Sequence, residues 1–212
     1  MLVSIIIRTL NEEKNLEELM KTIHVQNVSR FTYEIVLVDS GSTDKTLSIA
    51  QTYNAKITHI NQKDFSFGGS LNIGCEFSSG EYLVFISGHC IPTDRNWLSS
   101  LVEPLINNKF DYVYGRQIGR DTTKFSEEQV FKRYFPSNEV ANSLEYFCNN
   151  ANAAIKKKVW KKYKFNEKLT GLEDMFLAKQ VVDDGGQIGY VPSSTIYHIH
   201  DETWSQIMRR YL

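Results

Sequence analysis

Two neighbouring carboxylates, Glu173 and Asp174, follow Thr170-Gly171-Leu172 and precede an apolar helical pattern. A carboxylate in such a place can take a proton from an attacking hydroxyl. Successive helical side chains diverge by about 100°, so the two cannot face one pocket in the same way: one is free to act as a base while the other binds backbone or a neighbouring helix. An acidic pair at a helix start also serves the helix itself, by offsetting the positive end of its dipole. Tyr197-His198-Ile199-His200 alternates as a strand does, which puts both imidazoles on one face. His-x-His is one form of metal clamp and equally a pair of structural histidines. A third histidine, His89, stands in Ile86-Ser87-Gly88-His89-Cys90-Ile91-Pro92, where an enzyme handling a nucleotide diphosphate through a metal would carry a carboxylate.

A second group of residues suits a nucleotide. Val36-Leu37-Val38-Asp39 is an apolar run ending in a carboxylate, and Ser40-Gly41-Ser42-Thr43-Asp44 is a small, flexible turn before a helix. In open α/β sheets ligands bind outside the carboxyl ends of the strands, so Asp39 sits where a base or ribose can be hydrogen-bonded. Ser42, Thr43 and Asp44 equally suit capping of the helix. Thr9-Leu10-Asn11-Glu12 repeats the arrangement after the first apolar run, with Asn11 as cap and Glu12-Glu13 in the first turn as the structural alternative. Phe67-Gly68-Gly69-Ser70-Leu71-Asn72-Ile73-Gly74 brings glycines to a helix start, where backbone N–H groups can meet phosphate. Neither GxGxxG nor GxxxxGK[ST] occurs, which argues against a dinucleotide fold and a P-loop.

The elements that must position these residues are short. Leu2–Ile7, Glu34–Val38, Lys56–Ile60 and Tyr82–Ile86 are strand-like; Glu12–His24, Asp44–Tyr53, Ser70–Ser78 and Trp97–Ile106 carry apolar residues three or four apart. Such alternation predicts an α/β fold with a mostly parallel central sheet flanked by helices. The second half is less regular. Asp111–Tyr114 is a strand, Phe125–Phe135 is mixed and charged, and a helix starts from Lys156 within Asn149–Lys162. Glu173–Val182 is a helix ended by Asp183-Asp184-Gly185-Gly186, and Gln187–Val191 and Thr195–Ile199 are two strands. With no repeat or linker-like tract, the economical division is one domain over 1–212, with a nucleotide side over about 1–110 and an acceptor side over 111–212.

Composition narrows the class. The 212 residues include 24 Lys+Arg against 25 Asp+Glu, so no global charge favours nucleic acid. Hydrophobic and charged shares of 42% and 23% are those of a soluble globular protein. Cys75, Cys90 and Cys148 are too few and too scattered for a disulfide framework or a CxxC zinc site, and read as reduced, buried thiols. The N-terminus reads as a first strand with no leader, and no apolar run reaches the roughly 18 residues of a membrane span. Glu202–Leu212 reads as an amphipathic helix without a stop signal, so the natural chain is expected to continue.

In this order, Ser4–Glu12, Val38–Asp44, Phe67–Asn72, Gly80–Phe85, Tyr114–Gln117, Asn150–Ala154, Gly171–Asp174 and the closing Tyr197-His198 resemble the family 2 glycosyltransferases of the GT-A fold, a nucleotide-diphospho-sugar transferase fold. The set covers nearly the whole chain and is similar to that of bacterial rhamnosyltransferase-like enzymes of surface polysaccharides. The resemblance implies an inverting transfer from a nucleotide-sugar donor to a glycan or lipid-linked acceptor, in the cytoplasm, with peripheral association at the inner face of the membrane. It implies that Thr9, Asn11 and Glu12 line the nucleotide with Ser42 and Asp44 nearby, that Asp39 meets the base, and that Gly69 to Asn72 lies near the ribose or diphosphate. Asp174, with Glu173 beside it, is the implied catalytic base; Arg116 and Lys63 are diphosphate candidates, Lys63 being the better candidate for a solvated surface charge. Asn149, Asn150 and Asn152 are candidates for the acceptor sugar.

The chain departs from the family where Gln-Asp-Ala often precedes Ile-Pro; here Gly88-His89-Cys90 stands instead. The metal-binding aspartate is thus replaced by His89. Neutral imidazole suits Mn²⁺ or softer ions and suits Mg²⁺ poorly. Three outcomes follow: His89 joins His198 or His200 around a divalent metal, or touches the diphosphate directly without one, or the chain is a non-catalytic sugar-nucleotide or glycan-binding module. The intact carboxylate pair favours the enzyme.

Overall fold

A computed structural model gives the fold and describes residues 1–138 and 146–200; the helix expected at Glu202–Leu212 lies outside the described residues. The first half is a run of βα units: β1 (Leu2–Thr9), α1 (Glu13–His24), β2 (Thr32–Asp39), α2 (Thr46–Thr52), β3 (Lys56–His59), α3 (Phe67–Phe77) and β4 (Tyr82–Ser87). β2 and β4 flank β1, β3 flanks β2, and every pairing is parallel. Period-two alternation sorts the strands' side chains. Val3, Ile5 and Ile7 of β1 pack with α1 through Leu16, Leu19, Met20 and Ile23, while Ile6, Val36 and Val38 pack on the other face with Leu71 and Cys75 of α3. A sheet buried on both faces needs near-continuous apolar strands, which is what the sequence supplies.

The second half contributes β5 (Cys90–Pro92), α4 (Trp97–Ile106), β6 (Tyr112–Ile118), α5 (Phe125–Tyr134), β7 (Asn152–Lys156), α6 (Lys157–Tyr163), α7 (Glu173–Asp183) and β8 (Ile188–His198). The sheet order is β3-β2-β1-β4-β7-β6-β8-β5. β7 runs antiparallel to both β4 and β6, and β5 antiparallel to β8, while β6 and β8 are parallel. Tyr112, Trp160 and Leu177 join Ile6 and Val36 in one apolar cluster, so the two halves share a core. Among the described residues no helix is long and apolar enough to cross a membrane.

One open segment is settled and two expectations are corrected. The mixed segment Phe125–Phe135 is helical as α5. The two strands expected at 187–191 and 195–199 form one, β8: its pairing with β6 jumps from Gly115↔Val191 to Arg116↔Thr195, so Pro192-Ser193-Ser194 bulges out without ending the strand. Within Asn149–Lys162 the helix is present as α6, but Asn152–Lys156 before it is a strand, buried at all five positions and therefore without alternation to reveal it.

Candidate active site

β1 and β2 end side by side, with Thr9 in register with Asp39, and the turns after them lock together. Asn11 Oδ1 accepts from Thr43 N at 2.8 Å, while Ser42 Oγ accepts from Asn11 N at 2.9 Å. Thr46 Oγ1 accepts from Glu12 N at 2.8 Å and Asp44 Oδ2 from Glu13 N at 3.0 Å. In return Glu13 Oε2 accepts from Lys45 N at 3.0 Å. A helix start leaves its first N–H groups without intrahelical partners; here each turn satisfies the other's. Ser42 and Asn11, for which capping of their own helices was the structural alternative to a place at the nucleotide, serve the neighbouring turn. Asn11 adopts φ +55° to do so, a left-handed conformation that asparagine tolerates better than most residues.

Asp39 is 1% exposed. Its Oδ2 accepts from Gly41 N at 2.9 Å and Ser42 N at 3.0 Å, and Thr9 Oγ1 donates to Oδ1 at 3.3 Å. This carboxylate shapes its own turn, and Oδ1 keeps a lone-pair direction for one further donor. Beside it, Thr9, Leu10, Ser40, Gln62, Phe65 and Phe67 border a mostly apolar slot of about 240 Å³. Arg8, Phe67, Ser87 and His89 continue from that slot into a larger cleft of about 700 Å³. There Asn11, Glu12, Lys14, Asn149, Asn150, Glu173, Asp174, His198 and His200 complete the walls.

Both carboxylates of the pair line that cleft, at the first turn of α7. Leu172 precedes them at φ +60°, an outlier for a bulky side chain, and is 69% exposed. Asp174 is 9% exposed; Oδ2 accepts from Asn150 N at 3.1 Å and Oδ1 from Met175 N at 2.8 Å. Burial, then repulsion from Glu173, pushes its carboxyl up to about 6, against which the two N–H groups and Arg8 act. Glu173 Oε1 lies 4.0 Å from Arg8 Nη1. Arg8 was not singled out in the sequence, although a charge near the end of a mostly apolar strand was a signal. It donates to Phe67 O at 3.4 Å and lies 5.3 Å from the Phe67 ring centre. Burial lowers its pKa, and the Glu173 and Asp174 carboxylates oppose that shift.

The three histidines come together. Ring centres lie 5.3 Å apart for His89 and His198, 5.4 Å for His89 and His200, and 4.2 Å for His198 and His200. His89 Nδ1 meets Glu12 Oε1 at 2.8 Å, His198 Nδ1 meets Gln117 Oε1 at 2.7 Å, and His200 Nδ1 meets Glu127 Oε1. Gly88 permits the first contact, since a Cβ there would stand 2.8 Å from Glu12 Cγ. Among the described residues, His89, Cys90 and His198 each bring a ligand atom within 4.8 Å of the other two. Nitrogen and sulfur donors fit an imidazole-binding divalent ion and fit Mg²⁺ poorly. The three cysteines are buried and unpaired, and burial pushes the Cys90 thiol up.

Several expected site residues stand elsewhere. Asn72 is buried in α3, where its Oδ1 accepts from Trp160 Nε1 and Phe165 N and its Nδ2 donates to Phe165 O and Glu167 Oε1, so its amide is filled by the protein. Gly69 N is taken by the capping Ser66 Oγ at 3.0 Å, and α3 reaches the cleft through Phe67 instead. Asn152 is fully buried, between Trp97 Nε1 and the carbonyls of Arg116 and Ser194. Arg116 lines a separate cleft of about 450 Å³ with Arg120 and Lys132. On β6 it is its neighbour Gln117 that reaches His198 and Asn149, and side chains alternate along a strand. Lys63 is exposed and borders neither the slot nor the cleft. Asn149 and Asn150 do line the cleft; Asn150 Oδ1 accepts from Tyr112 Oη, and its Nδ2 is buried without a partner.

The open α/β sheet, with a cleft outside its strand ends that holds a carboxylate pair from the start of α7 and an arginine from β1, has the GT-A fold. The family model described as glycosyl transferase family 2 matches residues 4–164, and the chain belongs to that family. It is 26% identical over 192 residues to the O-antigen chain rhamnosyltransferase WbaN of Salmonella anatum, a stretch that is 84% of this chain and 60% of that protein. The crystal structure of S. aureus TarS 1-349 in complex with UDP-GlcNAc has the same fold, with a TM-score of 0.76 at 20% identity over 96% of this chain and 60% of that one. So does the mannosyltransferase PcManGT from Pyrobaculum calidifontis in complex with GDP-Man and Mn²⁺, with a TM-score of 0.75 at 21% identity over 98% and 60%. The chain thus spans less than two thirds of the length of each of these three.

Proposed function

We propose that this chain transfers a glycosyl group, with inversion, from a nucleotide-sugar donor to a hydroxyl of a glycan or lipid-linked acceptor during surface-polysaccharide synthesis in the cytoplasm, at the inner face of the membrane. The observation that carries the reading is the meeting, in one cleft, of a buried carboxylate with a pKa of about 6 and a guanidinium. A base works best with a pKa near the working pH. The acceptor oxygen attacks the anomeric carbon as the bond from that carbon to the diphosphate oxygen breaks. The hydroxyl proton passes to Asp174, and the bonding electrons leave with the nucleoside diphosphate. Asn150 N and Met175 N fix the Asp174 carboxylate, and Glu173 keeps Arg8 in the cleft where it opposes the negative charge of the leaving group.

The slot beside Asp39, with Phe65 and Phe67, suits a flat base. Asn149 and Asn150 border the cleft beside Asp174 and suit an acceptor sugar. A divalent cation held by His89 and His198 would supply further positive charge to the diphosphate. The similarity to an O-antigen rhamnosyltransferase supports a surface polysaccharide as product. Nucleotide release from UDP-, GDP-, dTDP- and CMP-sugars with Mn²⁺, Mg²⁺ or chelator tests the reading. Turnover by the chain and none by Asp174→Asn, with nucleotide binding retained, is the expected result. Full activity of that variant would remove Asp174 from the mechanism, and turnover that survives chelation would assign His89 to the diphosphate directly.

A further inference from the structure

We propose that the separate cleft lined by Arg116 is a subsite for an oxyanion, a sugar carboxylate or a phosphate, carried by the acceptor. Arg116 is half-buried in that cleft. Among the described residues it has no ion pair, and its Nε is buried without a hydrogen-bond partner. Leaving a charged donor unpaired away from water is costly, and a planar guanidinium fork is the group that holds carboxylates and phosphates by two oxygens at once. The other cations of the cleft have partners: Lys132 Nζ lies 2.8 Å from Glu128 Oε1, while Arg120 pairs with Glu18 and lies over the Tyr197 ring. Asp121 stands exposed at the lip. The charge left without a close counterion is that of Arg116.

Its place relative to the catalytic cleft points to the acceptor as the carrier of that anion. The register shift between β6 and β8 falls at Gly115 and Arg116, and bulges of this kind re-aim side chains beside active sites. Gln117, the next residue, lines this second cleft and also reaches Asn149 Oδ1 at 2.9 Å and His198 Nδ1 at 2.7 Å, both in the wall of the first. Phe131 lines the second cleft as well, and its ring stacks on that of His198 with 5.8 Å between centres. The two clefts therefore stand back to back, so a glycan whose attacking sugar lies at Asp174 brings a neighbouring unit to Arg116. Phe131 and Phe135 give the subsite an apolar floor, on which the C–H face of a pyranose can rest and above which an ion pair is strengthened by the low dielectric. A volume of about 450 Å³ is within the range of small-ligand sites. Thr123 adds a hydroxyl to the lining.

The acceptor as carrier rests on the transferase reading, but the test of the anion site does not. The chain is titrated with methyl glucuronide, with glycerol phosphate and with neutral methyl glucoside, and binding is followed by saturation-transfer NMR. The expected result is binding of an anion and none of the glucoside; the glucuronide alone would assign a carboxylate, and glycerol phosphate alone a phosphate. Arg116→Met should weaken the anion by about 10- to 100-fold. Its urea midpoint should equal or exceed that of the parent, because the side chain gives up no ion pair. Arg116→Lys, which keeps the charge without the fork, should fall between the two. Saturating UDP or GDP should leave the anion in place, as should Arg8→Gln, since Arg8 belongs to the other cleft. Equal binding by Arg116→Met, displacement by either nucleotide, equal binding of the glucoside, or no binding of either anion would overturn the subsite. Arg116-dependent binding by a chain that releases nucleotide from no donor would instead count against the transferase reading alone.

Discussion

Asp174→Asn should make the protein more stable at neutral pH while removing its activity. The carboxyl rises from an ordinary value of 3.8 to about 6 in the fold, which at about 1.4 kcal/mol per pH unit corresponds to about 3 kcal/mol spent on holding the charged form. Because the folded state binds this proton more tightly, the penalty is absent below pH 3.8, grows as pH rises from there to about 6, and is complete above. Asparagine carries no charge, but its one carbonyl can accept from only one of Asn150 N and Met175 N, a loss of about 1 kcal/mol. The variant should therefore fall slightly below the parent near pH 4 and exceed it by about 2 kcal/mol at pH 7.5. Urea unfolding of both proteins across that range measures the gap, and the other titrating groups cancel in the difference. Parental kcat/KM should fall below a pH of about 6, as the base becomes protonated. A gap that does not change with pH, or a parent that is the more stable at pH 7.5, would refute the claim that Asp174 is a desolvated base.

Arg8→Gln should reduce turnover by about 10²- to 10³-fold and move the acid limb to higher pH, since Arg8 is among the groups that hold the Asp174 carboxyl down; an unmoved limb would remove Arg8 from the electrostatics of the base. Asn72→Ala should cost about 2–4 kcal/mol by stranding Trp160 Nε1 and Phe165 N, visible in thermal unfolding, with nucleotide affinity unchanged; a selective loss of nucleotide binding would return Asn72 to the donor site. Gly88→Ala should force Glu12 and His89 apart and weaken metal binding by about 10- to 100-fold, with little change in the urea midpoint; metal affinity equal to that of the parent would show the contact to be dispensable.

The first half of the fold was legible because its strands are short apolar runs ended by polar turns, and its helices repeat apolar residues at the right spacing. Glu173, Asp174 and the histidines could be read for the same reason: their chemistry is unusual at element ends. β7 could not be, since five buried positions in a row carry no period. Asn72 and Asn152 misled because a buried amide that braces a tryptophan N–H has the same sequence signature as one that meets a sugar. Arg116 misled because the face of a strand is set by its register, and a bulge opposite Gly115 and Arg116 lies beyond local pattern. Cys90 beside His198 is a cross-strand relation between positions far apart in sequence, and Gln117 reaches His198 only through the separate pairing of β6 with β8.

The mutual satisfaction of the turns after β1 and β2 makes them one inheritable unit. Replacing residues 9–13 alone strands the N–H of Thr43 and Lys45, and replacing 39–46 alone strands those of Asn11, Glu12 and Glu13. Substitutions within one turn and across the pair should therefore be non-additive, as groups sharing hydrogen bonds are. For anyone recombining such chains to change the nucleotide they accept, the cassette to move is both turns together, and a crossover between residues 13 and 39 cuts through the joint.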